Sequence, residues 1–363
     1  VAGAGIVGAA CAWELTQAGL RVTLCEPGVT GGGATGAGMG HLAVMDDSDA
    51  QFALTSFSQR LWRELASELP AEAEYLPCGS LWIAADEEEM AEVRRKYTYY
   101  TARGIPVEVL DGAQLAEAEP HLRPGMAGGL VMPADAVCYP PCAAKYLVDR
   151  VLDAGGSLKQ ARITAVEERG VTLADGSFEA AGAVIIANGT AALDLIPGIP
   201  LVPRKGHLAI TDRYPGFVNH QLIELGYLKS AHSSHADSVA FNAQPRKTGQ
   251  VLIGSSRQFG VTEGTVEPAM LSAMLRRAVE YMPGISALST LRTWTGFRAA
   301  TPDHLPLIGR APGFKNVWLA TGHEGLGIST SLATAKLIAD GILGRPGELR
   351  GDPYDPARFG TSC

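Results

Sequence analysis

Two hydrophobic periods run along this chain and divide it. Between Asp49 and Leu65, the residues Phe52, Leu54, Phe57, Leu61 and Leu65 recur at helical spacing, and Ser48 stands where an N-cap belongs. Gly79-Ser80-Leu81-Trp82-Ile83-Ala84 reads as a strand and Asp86 to Arg103 as an exposed, charge-rich helix. Pro140 to Ala154 reads as another helix, and Ala161 to Leu173 as strands around a turn. Ala183-Val184-Ile185-Ile186-Ala187 is apolar at every position, the pattern of a parallel strand buried on both faces. From Leu201 to Arg298 the pattern changes to strands joined by polar turns, with one helix near Pro268 to Met282. A last strand, Asn316 to Thr321, is followed by a helix that runs to about Leu343. No internal repeat or low-complexity segment interrupts this order.

Glycines punctuate the elements at positions that carry chemistry. The chain opens with Val1-Ala2-Gly3-Ala4-Gly5-Ile6-Val7-Gly8 and reaches Glu26 at the tip of Arg21-Val22-Thr23-Leu24-Cys25-Glu26. Strand, Gly-x-Gly-x-x-Gly turn, helix, second strand and terminal carboxylate form the fingerprint of an adenine dinucleotide site. In such a site Gly3 permits the tight turn, Gly5 admits a pyrophosphate and Gly8 lets helix and strand pack closely. The helix N-terminus offers unpaired N–H groups to phosphate, and Glu26 is placed for a ribose 2′-OH. The fingerprint alone leaves NAD and FAD open. The run from Gly28 to Gly40 is too rich in glycine for a regular element and reads as a loop that approaches the cofactor.

At 363 residues the chain is large for a single core, so two joined domains are expected. The order of elements is α/β (α+β overall). A dinucleotide domain of residues 1–48, 136–197 and 299–363 is interleaved with a second, mixed or antiparallel-sheet domain of residues 49–135 and 198–298. A composition 46% hydrophobic and 19% charged excludes a disordered or fibrous chain. The net charge of −8 and the lack of a Lys/Arg cluster exclude a nucleic-acid footprint. No apolar run reaches the length of a membrane span and no signal peptide is visible, so membrane association is expected to be peripheral at most. The chain begins inside its first strand without Met, and a few upstream residues are expected. The six cysteines are scattered, and Cys138-Tyr139-Pro140-Pro141-Cys142 has neither zinc nor thioredoxin spacing, so free thiols in a reducing cytoplasm are expected.

The closing block favours flavin. Gly322-His323-Glu324-Gly325-Leu326-Gly327-Ile328-Ser329, with Trp294-Thr295-Gly296-Phe297-Arg298 and Thr301-Pro302-Asp303-His304-Leu305-Pro306-Leu307-Ile308-Gly309 before it, resembles the FAD-dependent D-amino-acid oxidase, glycine oxidase and sarcosine oxidase type. The likeness extends to the opening fingerprint, the Gly31–Gly40 loop, Ile185-Ile186-Ala187-Asn188-Gly189 and Pro203-Arg204-Lys205-Gly206-His207, five blocks in the family's order. It implies a Rossmann-type FAD-binding domain and a substrate domain, with the flavin between them. It also implies oxidation of an amino or imino acid by hydride transfer to flavin N5. Within that type, Ala34 to Leu42 followed by Val44-Met45-Asp46-Asp47-Ser48 looks like the bacterial D-hydroxyproline dehydrogenases. These oxidise cis-4-hydroxy-D-proline to a cyclic imine, some as single subunits and others beside iron–sulfur partner subunits. Two readings stay open beside it: a sarcosine- or glycine-type oxidase that makes peroxide, and a non-catalytic FAD-binding electron-transfer or assembly subunit.

The resemblance also assigns residues. Arg298 matches the arginine that holds a substrate carboxylate, a task that suits two parallel N–H donors. Gly322, His323, Gly325, Leu326, Gly327 and Ile328 would bring the closing helix N-terminus to the flavin's pyrimidine edge. Thr35, Gly38, Met39, Gly40 and His41 would line the ribityl chain and ring. Ile163 would meet adenine, while Ala187, Asn188 and Gly189 lie near diphosphate and ribose, with Ile6, Val7 and Pro27 completing the nucleotide end. Tyr227 and His41 are the candidates for substrate contact beside Arg298. The general base is left open among His41, Asp46, Asp47, Tyr227, His232 and His235, and Lys205 and Arg257 are read as structural. Gly296 stands where sarcosine oxidases carry a flavin-linking cysteine, which implies non-covalent FAD. Gly325 stands where glycine oxidase carries a second substrate-binding arginine, which leaves more room and one positive charge fewer. No metal is expected.

Overall fold

The computed structural model describes residues 1–226 and 237–360. Ala2 bridges in parallel to both Cys25 and Ile186, so the first residues run between strands Thr23–Cys25 and Val184–Ile186. Outward from these, Thr23–Cys25 pairs in parallel with Ser157–Lys159, and Val184–Ile186 with Val317–Thr321. Leu307–Arg310 closes that edge antiparallel. The all-apolar run is therefore central to a parallel sheet, which is why it lacks alternation. Helices Ile6–Gln17, Asp49–Leu65, Pro140–Asp153 and Gly327–Leu343 share one core with it, through residues such as Leu15, Trp62, Leu147 and Ile338. Trp62 is fully buried and its indole N–H donates to the Ile328 carbonyl at 3.1 Å, tying the second helix to the start of the last. Ser48 caps Asp49–Leu65 through the Gln51 N–H, as its position predicts.

The second layer is an eight-stranded mixed sheet in the order Thr290–Ala300, Val202–Arg213, Gln250–Arg257, Ser238–Pro245, Gln221–Glu224, Ser80–Ala84, Gly128–Met132 and Glu108–Asp111. All neighbours are antiparallel except Gln221–Glu224 with Ser80–Ala84. Alternation along the strands gives its faces different tasks. Leu81, Ile83, Ala209, Leu222, Ala243 and Ile253 pack beneath helix Pro268–Tyr281 in one apolar core. The opposite face, with Trp82, Leu208, Ile223 and Asn242, turns to a cavity shared with the parallel sheet. A three-stranded antiparallel sheet of Ile163–Glu167, Gly170–Leu173 and Phe178–Ala180 completes the strands around the predicted turn.

Some elements escape the sequence pattern. Strand Glu108–Asp111, helix Gly112–Ala118 and strand Gly128–Met132 fill a stretch in which no element is expected. Asp111 and Gln114 form a capping box that starts the helix. The strand is masked by its glycine pair, which is there for space: a Cβ on Gly129 would lie 2.7 Å from the Trp82 carbonyl oxygen. The Gly28–Gly40 run, expected to hold no regular element, contains one helical turn at Ala34–Ala37. That turn is anchored where Thr35 Oγ1 accepts the Ile6 N–H at 3.0 Å.

No described helix is long and apolar enough to cross a membrane, and no group of His, Cys, Asp and Glu among the described residues has metal-site geometry. Cys11, Cys25, Cys78, Cys138 and Cys142 are free thiols, and Cys363 lies outside the described residues.

Candidate active site

A cavity of about 920 Å³ lies between the parallel sheet and the open face of the eight-stranded sheet. That is at the upper end of small-molecule sites. Around the opening fingerprint it is lined by Gly3, Gly5, Ile6, Val7, Glu26 and Pro27. Gly3 has φ +94°, which L side chains rarely adopt. Gly8 does not line the cavity but stands behind the turn, where a Cβ would meet the Gly3 carbonyl oxygen at 2.1 Å. The Glu26 carboxylate is already oriented, accepting the N–H groups of Ala4 at 3.0 Å and Gly28 at 2.9 Å. Ile163, Ala187, Asn188 and Gly189 line the cavity as well. Asn188 Oδ1 is buried there without a hydrogen-bond partner among the described residues.

The segment Thr35, Gly38, Met39, Gly40 and His41 crosses the cavity and is pinned from both layers. The Met39 carbonyl accepts from Gln244 Nε2 at 2.7 Å, and the His41 carbonyl from Ser329 Oγ at 2.8 Å. Gly322, His323, Gly325, Leu326, Gly327 and Ile328 form a further wall at the start of the closing helix. The His323 imidazole bonds to Thr334 Oγ1 at 3.0 Å, and burial pushes its pKa down to about 3, so it stays neutral. Asp86 and Asp111 cap their helices, as Ser48 does. The opening and closing helices instead begin on glycine-rich turns with no side-chain cap and no acid in the first turn. Apart from the Ile6 N–H, which Thr35 Oγ1 takes, their first N–H groups and their dipoles are therefore directed at whatever fills the cavity.

Arg298 lies on the eight-stranded sheet and reaches across its neighbour strand. Its Nη1 donates to the Ser256 carbonyl at 3.1 Å, passing over Gly206, where a Cβ would be 2.5 Å from Nη1. A Cβ on Gly325 would stand 3.9 Å from Arg298 Nε, an ordinary contact distance, so Gly325 adjoins the arginine side chain. Gly296 also lines the cavity, and a Cβ on it would meet Ala37 Cβ at 2.3 Å. Among the described cysteines only Cys25, beside Glu26, lines the cavity.

His41 lines the cavity with burial pushing its imidazole down to about 4, and its Nε2 has no partner among the described residues. Asp47 also lines it, its carboxyl raised by burial. Asp46 does not, contrary to the expectation that it approaches the pocket. Its buried carboxylate accepts from Lys96 Nζ, from Arg95 Nη2 at 2.5 Å and from the Tyr100 hydroxyl at 3.1 Å. Burial alone would raise its pKa, but Lys96 and Arg95 outweigh that and lower it. Tyr227, His232 and His235 lie outside the described residues. Lys205 is fully buried and pairs with Glu267 at 3.1 Å, a packing role.

Several lining residues were not anticipated. Glu324 accepts from Arg204 Nη1 and from His304 Nδ1 at 2.9 Å, with Arg257 Nη2 at 3.6 Å. Burial would raise its pKa, yet His304, Arg257 and Arg204 hold it down to about 2. Its place inside the closing glycine block is the one signal it carries in the sequence. Trp82, Gln221, Ile223 and Asn242 carry no motif at all; only strand register brings them to the cavity.

The uncapped helix starts, the preset Glu26 carboxylate, the orphaned Asn188 oxygen and the side-chain-free turn at Gly3 and Gly8 fit an adenine dinucleotide. Residues 1–341 match the model of the FAD dependent oxidoreductase family. The chain belongs to the FAD-dependent oxidoreductases. The glycine oxidase of Pseudomonas aeruginosa is 29% identical over 376 residues, spanning 98% of this chain and 98% of that protein. The glycine oxidase of Geobacillus kaustophilus is 28% identical over 356 residues, spanning 94% and 91%. The crystal structure of the Geobacillus kaustophilus enzyme superimposes with a TM-score of 0.87 at 27% identity, covering 98% of this chain and 97% of that one. The L-proline dehydrogenase of P. horikoshii shares the fold, with a TM-score of 0.85 at 23% identity over 99% and 96% of the two chains. This FAD-dependent oxidoreductase is an enzyme, and FAD is its cofactor.

Proposed function

We propose that this enzyme oxidises a small amino or imino acid at its C–N bond. Its preferred substrate is a cyclic D-imino acid, cis-4-hydroxy-D-proline or D-proline, and the electrons pass to an acceptor other than oxygen. The observation that carries the reading is the Arg298 guanidinium, held over Gly206 in the cavity wall. There it can take a carboxylate through two parallel N–H donors and fix the carbon beside the nitrogen. The chemistry FAD supplies when bound is acceptance of a hydride. The substrate loses the electron pair of that C–H bond with the hydride and an N–H proton to solvent, leaving a C=N bond.

The chain's own groups divide the remaining work. Glu26 takes the ribose hydroxyls, the turn from Gly3 to Gly8 takes the pyrophosphate, and the closing helix start at Gly327 offers its N–H groups to the ring. His41, neutral at working pH, contributes a hydrogen bond without charge. A substrate that binds with its amine unprotonated needs no base, which accords with the commitment of Asp46 to Lys96. Residues 1–48, 136–197 and 299–363 form the cofactor domain in this reading, and 49–135 with 198–298 the substrate domain. FAD is held without a covalent link, since Gly296 carries no sulfur.

A second reading, a glycine- or sarcosine-type oxidase, is favoured by the glycine oxidases among the relatives. Anaerobic titration with cis-4-hydroxy-D-proline, D-proline, sarcosine and glycine, followed by flavin absorbance, separates the two. Bleaching by the cyclic D-imino acids without peroxide formation in air supports the first reading. Bleaching only by sarcosine or glycine, with peroxide, replaces it with the second.

A further inference from the structure

We propose that the cavity contains an uncharged polar subsite, formed by Gln221 with Trp82 and His41, that takes a hydroxyl or carboxamide group of the substrate while Arg298 takes its carboxylate. The proposal rests on the functional reading above and deepens it. In strand Gln221–Glu224, Leu222 turns into the apolar core under helix Pro268–Tyr281, so Gln221 and Ile223 turn to the cavity. The parallel register pairs Gln221 with Ser80 and Ile223 with Trp82, which puts the Trp82 indole on the same face, diagonal to Gln221. His41 arrives from the crossing segment, whose Met39 carbonyl is bonded to Gln244. Gln244 is the cross-strand neighbour of Gln221, since Leu222 pairs with Ala243.

Gln221 and Trp82 are each 1% exposed. Neither Oε1 nor Nε2 of Gln221, nor Nε1 of Trp82, nor Nε2 of His41, has a hydrogen-bond partner among the described residues. Buried polar atoms are almost always paired, so four such atoms on three side chains lining one cavity mark a place where a ligand supplies the partners. The carboxamide donates and accepts, the indole only donates, and a neutral imidazole does one at each nitrogen. None of the three carries charge. The ammonium beside the ring, Lys96 Nζ at 4.4 Å from the Trp82 centroid, is already committed to Asp46, so a carboxylate or ammonium would lose its hydration there without an unpaired opposite charge in return, whereas a hydroxyl or carboxamide is matched at each position. Arg298 is rooted four strands away in the same sheet, but its guanidinium reaches back over Gly206 to the Ser256 carbonyl, two strands from Gln221, so the group taken here is carried on the part of the substrate that points away from its carboxylate.

Two variants test this: Gln221→Leu, close in volume, and Trp82→Phe, which removes the N–H and keeps an aromatic ring. Specificity is read as kcat/KM for cis-4-hydroxy-D-proline against D-proline, and for glutamine against norvaline in both enantiomers. The polar member should be preferred by the native enzyme, and that preference should fall about tenfold or more in Gln221→Leu and by a smaller factor in Trp82→Phe. Equal changes within each pair would overturn the subsite. If no amino acid bleaches the flavin, the functional reading fails and binding alone decides the subsite. The probes are then tetrahydrofuran-2-carboxylate against its 4-hydroxy derivative, and pentanoate against glutaramate, followed by flavin absorbance. Tighter binding of the polar members, lost in Gln221→Leu, sustains the subsite, and equal binding within both pairs sinks it. The melting temperature of Gln221→Leu should be unchanged or raised, because an unpaired buried amide is replaced by an apolar group. A clear fall would mean that Gln221 is bonded within the protein, and would also overturn the proposal.

Discussion

A single methyl group at position 206 should damage the enzyme without damaging its fold. Gly206 lies in strand Val202–Arg213, paired with Gly296, where an alanine is conformationally ordinary. What its missing Cβ leaves open is the path of Arg298: a Cβ would lie 2.5, 2.8 and 2.9 Å from Nη1, Nη2 and Cζ of the guanidinium. Ordinary contact begins near 3.4 Å, so the guanidinium must retreat by about 1 Å. The obstructing group is the end of a flexible side chain, and the cost to folding should stay below about 1 kcal/mol. Nη1 cannot then keep its 3.1 Å bond to the Ser256 carbonyl and its present aim. A misplacement of about 1 Å in a group that orients substrate can cost up to about a hundredfold. Gly206→Ala should therefore lower kcat/KM by about ten- to a hundredfold, mainly through KM, with FAD content and melting temperature near native. Steady-state kinetics on the best substrate, with the flavin spectrum and a thermal melt on the same preparation, reads all three quantities. Native KM in a folded, FAD-loaded Gly206→Ala would show that the Arg298 position does not matter to substrate, and the carboxylate assignment would go with it.

Other perturbations report on other parts of the site. Arg298→Leu removes the guanidinium altogether and should raise KM for carboxylate substrates by about a hundredfold or more with FAD still bound; turnover that survives nearly intact would refute the clamp. Glu26→Ala deletes the acceptor of the Ala4 and Gly28 N–H groups and of the proposed ribose contact. FAD dissociation, followed by fluorescence on dilution, should accelerate about tenfold or more with substrate preference unchanged. Gly8→Ala drives a Cβ against the Gly3 carbonyl, a backbone atom that cannot swing aside. It should cost about 1–3 kcal/mol in chemical denaturation and lower FAD affinity, and native values in both would remove the close-packing argument. His304 is raised by its bond to Glu324, so the stabilisation it contributes is complete below the ordinary histidine range near pH 6.5 and is lost as pH rises through its higher folded value. The melting temperature of the native enzyme should accordingly fall relative to His304→Gln as pH increases from about 6 to 8, and parallel curves would exclude the pair.

The sequence was most legible where backbone conformation dictates residue type. A Gly-x-Gly-x-x-Gly turn needs glycine at Gly3 for its φ and at Gly8 for contact, so both are written in the chain whatever the rest of the protein does. The parallel strand at Val184–Ile186 announces itself for a similar local reason, burial on both faces. The substrate side has no such dictation. Trp82, Gln221 and Asn242 are 139 and 21 positions apart along the chain, and they face one cavity only because Ile223 pairs with Trp82 on one side and Asn242 on the other. A strand sequence says that alternate residues share a face; which neighbour strand they meet is set by long-range register. Asp46 and Asp47 show the limit in miniature: adjacent acids point to opposite sides of an extended segment, one sealed against Lys96 and the other toward the cavity. Cofactor recognition in this family can thus be read from local signals, whereas substrate choice is written in pairings between distant strands. Substitutions that alter specificity should accordingly cluster on the open face of the eight-stranded sheet, at positions such as 82, 221 and 242, and not in the glycine blocks.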